Sequence, residues 1–551
     1  MESSKTKPQR GKTMVVRTAL IFLFLQFVVS QSFAQQYMEV KVDTAGQLYL
    51  LIEDSIRFCI SELKVSGQLD GRDLQLLQDI VNRNKTNKKN PNECLVTSID
   101  LSDARIVESD ISRPKSKANT LPASMFAGAK SLVTARLPQD ITAVSRQAFS
   151  GCSELKSVTI PESVTQIDDN AFTGCQKLDS VKIPAAVTRI GSRAFDGCEL
   201  LAAIEIPVGV SVIENGTFNK CKSIRSFVLP AICTEIGNNA FEDCLSLDSI
   251  EMSNVEKVGN AAFQNCTCLQ EVKFNNLKKL SSNAFENCPG LKRVTIAGPL
   301  DEISSDVFLG CTGLTEVTLP STVRTIGTEA FRACRALENI ELPTALTKIG
   351  SHAFEECATL RSVTVPNQVK SIGSSAFEKC TLLDSVSIQG FITEVENDLF
   401  RSCHSLRSVS LPVSVRKIGN DAFEQCASLE TIKLPVAVTT IGDDAFAKCA
   451  SLKNVDIPNA VTNIGSSCFE ACTALTAIDL PVALKKIGGS AFAKCSSLKS
   501  VNLNSPMPPA ISSNSFKGVV MGQCRFFVPR GCGSVYRLNK QWSKIPQIVE
   551  K

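Results

Sequence analysis

A phenylalanine returns at a fixed interval along most of this chain. It stands at positions 126, 149, 172, 195, 218, 241, 263, 285, 308, 331, 354, 377, 400, 423, 446, 469, 492 and 516. The step is 23 residues, apart from two of 22 between Phe241 and Phe285 and a last one of 24. A period in this range marks a chain wound into identical stacked turns, and it outranks any local motif. Within a turn, Leu178, Val181 and Ile183 fall six, nine and eleven residues after Phe172. The last two are spaced by two, as in a strand, with polar residues between them. Proline follows one residue later in twelve of the first seventeen turns, from Pro138 to Pro481, and ends the strand because it has no N–H for a ladder. Ile-Gly or Val-Gly then recurs ten times, from Gly191 to Gly488, where glycine is expected to allow a backbone corner. A short helical or irregular piece leads back to the next Ala-Phe.

Stacking such turns puts strand on strand in parallel, about 4.8 Å apart, in one sheet on the order of 80 Å long. A single turn cannot bury its apolar side alone, so each depends on its neighbours. Phe149, Phe172 and Phe195, with Cys152, Cys175 and Cys198 three residues after them, are expected to form the structural ladder.

The repeated A-F-x-x-C-x-x-L-x-x-V-x-I-P-x-x-V-x-x-I-G resembles the BspA-type leucine-rich repeat family, bacterial secreted and cell-surface proteins, over roughly residues 120–530. The resemblance implies an α/β solenoid: a right-handed leucine-rich repeat superhelix with a parallel concave sheet, about 18 turns of ~23 residues. It also implies adhesion or ligand binding, and caps at both ends like those of Bacteroidetes members.

Four segments are expected. Residues 1–36 read as a signal peptide, with the mature chain starting at about 35–37. Lys5, Lys7, Arg10, Lys12 and Arg17 precede the apolar run Ala19 to Val29, which is short for a membrane span, and Ser32-Phe33-Ala34 offers a cleavage site. Residues 37–120 are an amino-terminal cap and loop, in which Ile60, Leu63 and Val65, and again Val96, Ile99 and Leu101, repeat the strand spacing around a helical stretch from Asp73 to Val81. Residues 121–504 are the repeats. Residues 505–551 hold a last degenerate repeat and a cap in which Trp542 and Tyr536 seal the final apolar rung.

Of 23 cysteines, sixteen sit three residues after the phenylalanine, from Cys152 to Cys495, where a small side chain filling one slot per turn explains them. Metal ligands must converge on a point, which a ladder does not do. Cys59 and Cys94 each precede a cap strand, and a Cys59–Cys94 disulfide is expected; Cys524–Cys532 is a weaker candidate.

The net charge of +4, from 59 basic and 55 acidic residues, gives no broad basic field for nucleic acid. The two histidines, His352 and His404, fall in different turns and slots, and no H-E-x-x-H, G-x-S-x-G or P-loop occurs. No enzyme, metal or cofactor is expected. The candidate contact surface is the wet side of the strand: Thr159, Lys182, Glu205, Glu251, Lys273, Thr295, Thr318, Glu341 and Thr364, a face read as free of aromatics. In three successive turns the proline gives way to Ser253, Asn275 and Ala297, which marks 250–300 as a bend or contact region. The expected function is that of an exported, monomeric, non-catalytic protein, without a membrane span in its mature part, that binds a protein or cell-surface ligand. It would sit outside the cell, on its surface or in the periplasm. The alternative is a structural spacer of the envelope without a specific ligand.

Overall fold

The computed structural model describes residues 37–551 except 55, 58–59, 83–94 and 112–113. The leader in 1–36 and the Cys59–Cys94 pair lie outside the described residues.

The chain is a parallel β-solenoid of about 22 turns. The first strand of each turn forms where the sequence alternates. Ser362–Val365 pairs in parallel with Ser385–Ile388, Val363 against Val386 and Val365 against Ile388 on the buried side. The ladder runs on into both ends, which accounts for turns beyond the eighteen counted from phenylalanines. Tyr37–Val42 pairs with Glu62–Leu69, that strand with Ser98–Asp100, and Ser98–Asp100 with Thr134–Arg136. At the other end Ser500–Leu503 pairs with Arg525–Val528, and this with Ile548–Glu550. The expected unbroken sheet is instead a series of shorter ones. Most of its pairings in the repeats hold three or four positions, and between Ser180 and Ala203, as between Asp456 and Asp479, the pairing shrinks to one.

Sequence reasoning missed a second ladder. The two residues before each Ile-Gly glycine form their own parallel strands: Lys348–Ile349 pairs with Thr325–Ile326 behind it and Ser371–Ile372 ahead. The glycine therefore serves a different purpose from the corner expected of it. A Cβ on Gly350 would stand 2.6 Å from the Gly327 carbonyl carbon of the preceding turn. The second ladder brings backbones too close for a side chain.

The return limb carries no helix; the described α-helices, Leu48–Leu51, Gly71–Val81 and Gly533–Leu538, all lie in the end segments. Each ladder phenylalanine from Phe126 to Phe492 is instead flanked by left-handed residues two before and two after, such as His352 at φ 56° and Glu356 at φ 62° around Phe354. Only glycine takes this conformation freely; others pay roughly 1–2 kcal/mol. What offsets that strain is a hydrogen-bond ladder outside any strand. In all seventeen junctions between successive phenylalanines, the Phe N–H donates to a carbonyl of the next turn, as from Phe354 to Ala376 at 2.9 Å. The N–H two residues later does the same, as from Glu356 to Glu378 at 2.9 Å.

Above this limb the rings stack. Successive phenylalanine centroids are 5.1–5.8 Å apart with planes within 27° of parallel, from Phe126 to Phe516. Trp542 ends the column edge-on to Phe516 and Phe526, its indole N–H donating to the Pro509 carbonyl at 2.7 Å. Tyr536 packs on it and donates to the Ser505 carbonyl at 2.8 Å.

Two substitutions separate ring packing from backbone approach. Phe354→Ala should cost about 3–5 kcal/mol through the cavity it leaves. Gly350→Ala should cost about 1–3 kcal/mol through forced separation of the second ladder. Urea unfolding of both variants measures the two terms.

Candidate functional site

The wet side of the first strands is the widest polar face that the turns build in common. Of its expected contact residues, Thr159, Lys182, Glu205, Glu251, Lys273, Thr318, Glu341 and Thr364 are exposed, and Thr295 is half-buried. Strand register places Lys273, Thr295 and Thr318 side by side on consecutive rungs. The others are distributed one to a rung, and two are already engaged: Lys182 pairs with Glu162 at 2.8 Å, and Glu251 turns back to accept the Ser253 N–H at 3.1 Å and the Ser253 hydroxyl. Ser253 stands where most turns have proline, so its N–H and hydroxyl supply donors that proline lacks.

The ladder of first strands parts beside Ser253. Ser226–Val228 pairs with Ser249–Glu251, and Glu271–Phe274 pairs with Arg293–Ile296, while no ladder pair joins Ser249–Glu251 to Glu271–Phe274. The turn between them is one of the two short ones. Over this break lies an open depression of about 530 Å³, which brings together Glu251 and Lys273 with Val228, Asp248 and Glu271. Glu271 is bound to Arg293 at 2.9 Å, whereas Lys273 has no ion pair among the described residues. Val228 is 75% exposed, an apolar spot in a polar field. Further along, Ser362, Thr364, Ser385, Ser387, Ser408 and Ser410 make a neutral hydroxyl stretch three strands wide. The face also holds aromatics that the sequence reading excluded: Tyr37, exposed and in register through Glu62 and Ser98 with Thr134, and Phe527, half-buried and in register with Asn502 because its strand starts one residue later after Phe516 than the others do after theirs.

The return limb carries a different chemistry. Glu355 is 4% exposed and receives His352 Nδ1 at 2.9 Å, Lys379 at 2.9 Å and Arg332 at 3.1 Å. The hydrogen bond to Glu355 holds the Lys379 ammonium above the usual lysine range. Glu424 is held likewise by Arg401 at 3.0 Å and Lys448 at 2.7 Å. His352, Glu355 and Glu378 bring ligand-type atoms within 4.8 Å of one another. Both oxygens of Glu355 are nonetheless occupied by cations, so the group is built as an ion-pair network. The sequence signal for it was a His-x-x-Glu on one turn followed by Glu-Lys at the equivalent place on the next.

Phe149, Phe172, Phe195, Cys152, Cys175 and Cys198 are fully buried. Each of the sixteen ladder thiols does more than fill space. It donates to the carbonyl of the phenylalanine one turn back at 3.0–3.3 Å, as from Cys175 to Phe149 and from Cys357 to Phe331. Burial pushes up the thiols of Cys175, Cys198 and Cys357, and those of Cys449 and Cys495 to about 12. The Cys524–Cys532 bridge is not formed, and both are free. Cys524 is buried at the end of the thiol ladder, next to Cys495, whereas Cys532 sits half-buried at the start of Gly533–Leu538, beside Tyr536.

No helix among the described residues is long and apolar enough to cross a membrane. The pattern of the BspA type leucine-rich repeat region, in six copies, matches residues 119–248, 188–315, 301–428 and 393–521. Among solved structures, the chain is similar to a leucine-rich repeat protein from Bacteroides ovatus, at 28% identity over 67% of this chain and 84% of that one, with a TM-score of 0.46. It is also similar to a leucine-rich repeat protein from T. pallidum, at 28% identity over 37% and 77%, TM-score 0.25. A third, from Eubacterium ventriosum, shares 22% over 62% and 83%, TM-score 0.35. No curated protein matches the chain.

Two outcomes test this description. Iodoacetamide on the native protein should label Cys268, exposed among the described thiols, and leave the ladder unlabelled until denaturant is added, as peptide mass spectrometry will show. Burial, then the neighbouring carboxylates Asp398 and Glu424, push Asp421 up to about 6 from 3.8. The folded chain then holds that proton more tightly than the unfolded one, so this site lowers stability as pH rises from about 4 through about 6. Asp421→Asn should raise the melting temperature near pH 7.5 and leave it unchanged near pH 3.5.

Proposed function

Because the chain belongs to the BspA-type leucine-rich repeat family, we propose that it is a non-catalytic interaction protein. It binds a protein or cell-surface ligand through the face of its first strands, centred on the break in the ladder. The observation that carries this reading is the depression over that break, where the unpaired Lys273 and the bare Val228 lie on either side of Glu251. Contact sites draw their affinity from a few apolar and charged anchors set in a polar surround. Elsewhere the face is occupied by small hydroxyls or by acids and bases spaced one to a rung, which suits many modest contacts on a preorganised surface. The pattern of residues 1–36 supports export, and with it a place outside the cell, on its surface or in the periplasm.

A second reading is that of an envelope spacer without a specific ligand. It is favoured by the regularity of the seventeen forward-bonded junctions, which suit a stiff rod. One experiment separates the two. A chain with Val228→Asp and Lys273→Glu, matched in melting temperature to the parent, should lose binding to intact target cells at least tenfold. Lys433→Glu, seven turns beyond Lys273 on the same face, should retain it. Unchanged binding by the double variant would favour the spacer.

A further inference from the structure

The stacking scheme leaves one rung unfinished. Every phenylalanine from Phe126 to Phe492 passes its N–H forward to the next turn, and so does the residue two places later. Phe516 begins the last such turn. The N–H groups of Phe516 and Gly518 have no hydrogen-bond partner among the described residues, although Ser515 and Lys517 each accept from the turn behind, from Phe492 at 2.8 Å and Lys494 at 2.7 Å. This end of the limb therefore presents donors whose acceptors are missing. Buried backbone donors are almost always paired, and Phe516 is only 5% exposed, while Gly518 is exposed.

The closing segment does not supply the missing acceptors. Trp542 seals the ring column, but a cavity of about 940 Å³ remains between residues 511–521 and 540–545, with Phe516 and Gly518 on its wall. Lys517, Lys540 and Lys544 line it, and none of them has an ion pair among the described residues. No aspartate or glutamate lines it. Its apolar lining comes from Ile511, Val519 and Ile545.

We propose that this cavity binds an acidic peptide segment, which takes the place of the absent next turn. Open N–H groups two residues apart in the chain lie about 5–7 Å from each other, farther than the oxygens of one carboxylate or phosphate reach. Carbonyls two residues apart on a second chain match them, as they do in every interior junction. The three lysines meet acidic side chains of that segment, where charge-assisted bonds are strongest, and the apolar wall takes a residue between them. The recognition is main-chain pairing at an open edge with side chains conferring choice. This site is separate from the sheet face proposed above.

Trp542 is the chain's one tryptophan and packs 6.4 Å from the Phe516 ring, so its emission reports on the cavity. The test titrates the full chain with a blocked heptapeptide carrying glutamate at three alternate positions, with its glutamine counterpart, and with inorganic phosphate. The expected result is saturable binding of the glutamate peptide, at least tenfold tighter than the glutamine one. Phosphate should not displace it at tenfold excess. Amide exchange at Phe516 and Gly518 should slow at least tenfold in the complex. The pair Lys540→Gln and Lys544→Gln, exposed positions where folding is undisturbed, should lose binding at least tenfold, while Lys273→Glu keeps it. No saturable binding, equal binding of the neutral peptide, displacement by phosphate, or unchanged exchange at the two amides would each overturn the proposal.

Discussion

Everything in this molecule depends on an amide that looks ahead. Each phenylalanine places its ring on the ring behind and its N–H on the turn in front, so one residue type fixes both the spacing and the direction of stacking. The thiol three residues on completes the arrangement. The Phe331 carbonyl accepts the Cys334 N–H from its own turn and the Cys357 thiol from the next. Cysteine suits the slot because it is small enough to be buried without a void and still has a weak donor to offer. A serine would offer a stronger donor at a greater desolvation cost, and an alanine would leave the carbonyl half-used.

Much of this was legible in advance because burial writes a period into the sequence. The ring column, the first strands, the strand spacing repeated at Leu63 and Ile99, and the sealing pair Tyr536 and Trp542 all follow from apolar residues at fixed distances. The return limb was not legible, and the reason is physical. Its left-handed positions hold glycine, asparagine or aspartate at about half the sites, as at Gly151, Asn170 and Asp243, and histidine, glutamate, lysine, serine or alanine at others, where the inter-turn bonds impose the backbone. Residue type carries only a partial record of a conformation that neighbours enforce. The second ladder escaped notice for a related cause: two residues are too few to show alternation, and the glycine after them suggested a bend where it records a close approach.

The candidate face was legible as a set of positions but not as a site. Counting along the repeat identifies Glu251 and Lys273 as outward-facing. It does not say that Glu251 turns back on Ser253, or that the ladder parts beside it. Those events are local, since the other turn one residue short keeps its ladder between Glu271–Phe274 and Arg293–Ile296. The loss of proline at Ser253 was visible; the depression beside it needed coordinates.

Forward bonding also bears on how such a chain can change in length. Every junction from Phe285 to Phe492 presents the same donors to the same acceptors at an interval of 23 residues. Excising one whole interval reconnects equivalent partners and returns an intact, shorter coil. Removing half an interval sets rings against carbonyls and valines against water. Unequal recombination within the gene is thus filtered by geometry into whole units, and the reach of the protein becomes a trait that can drift by quanta while its cross-section stays the same.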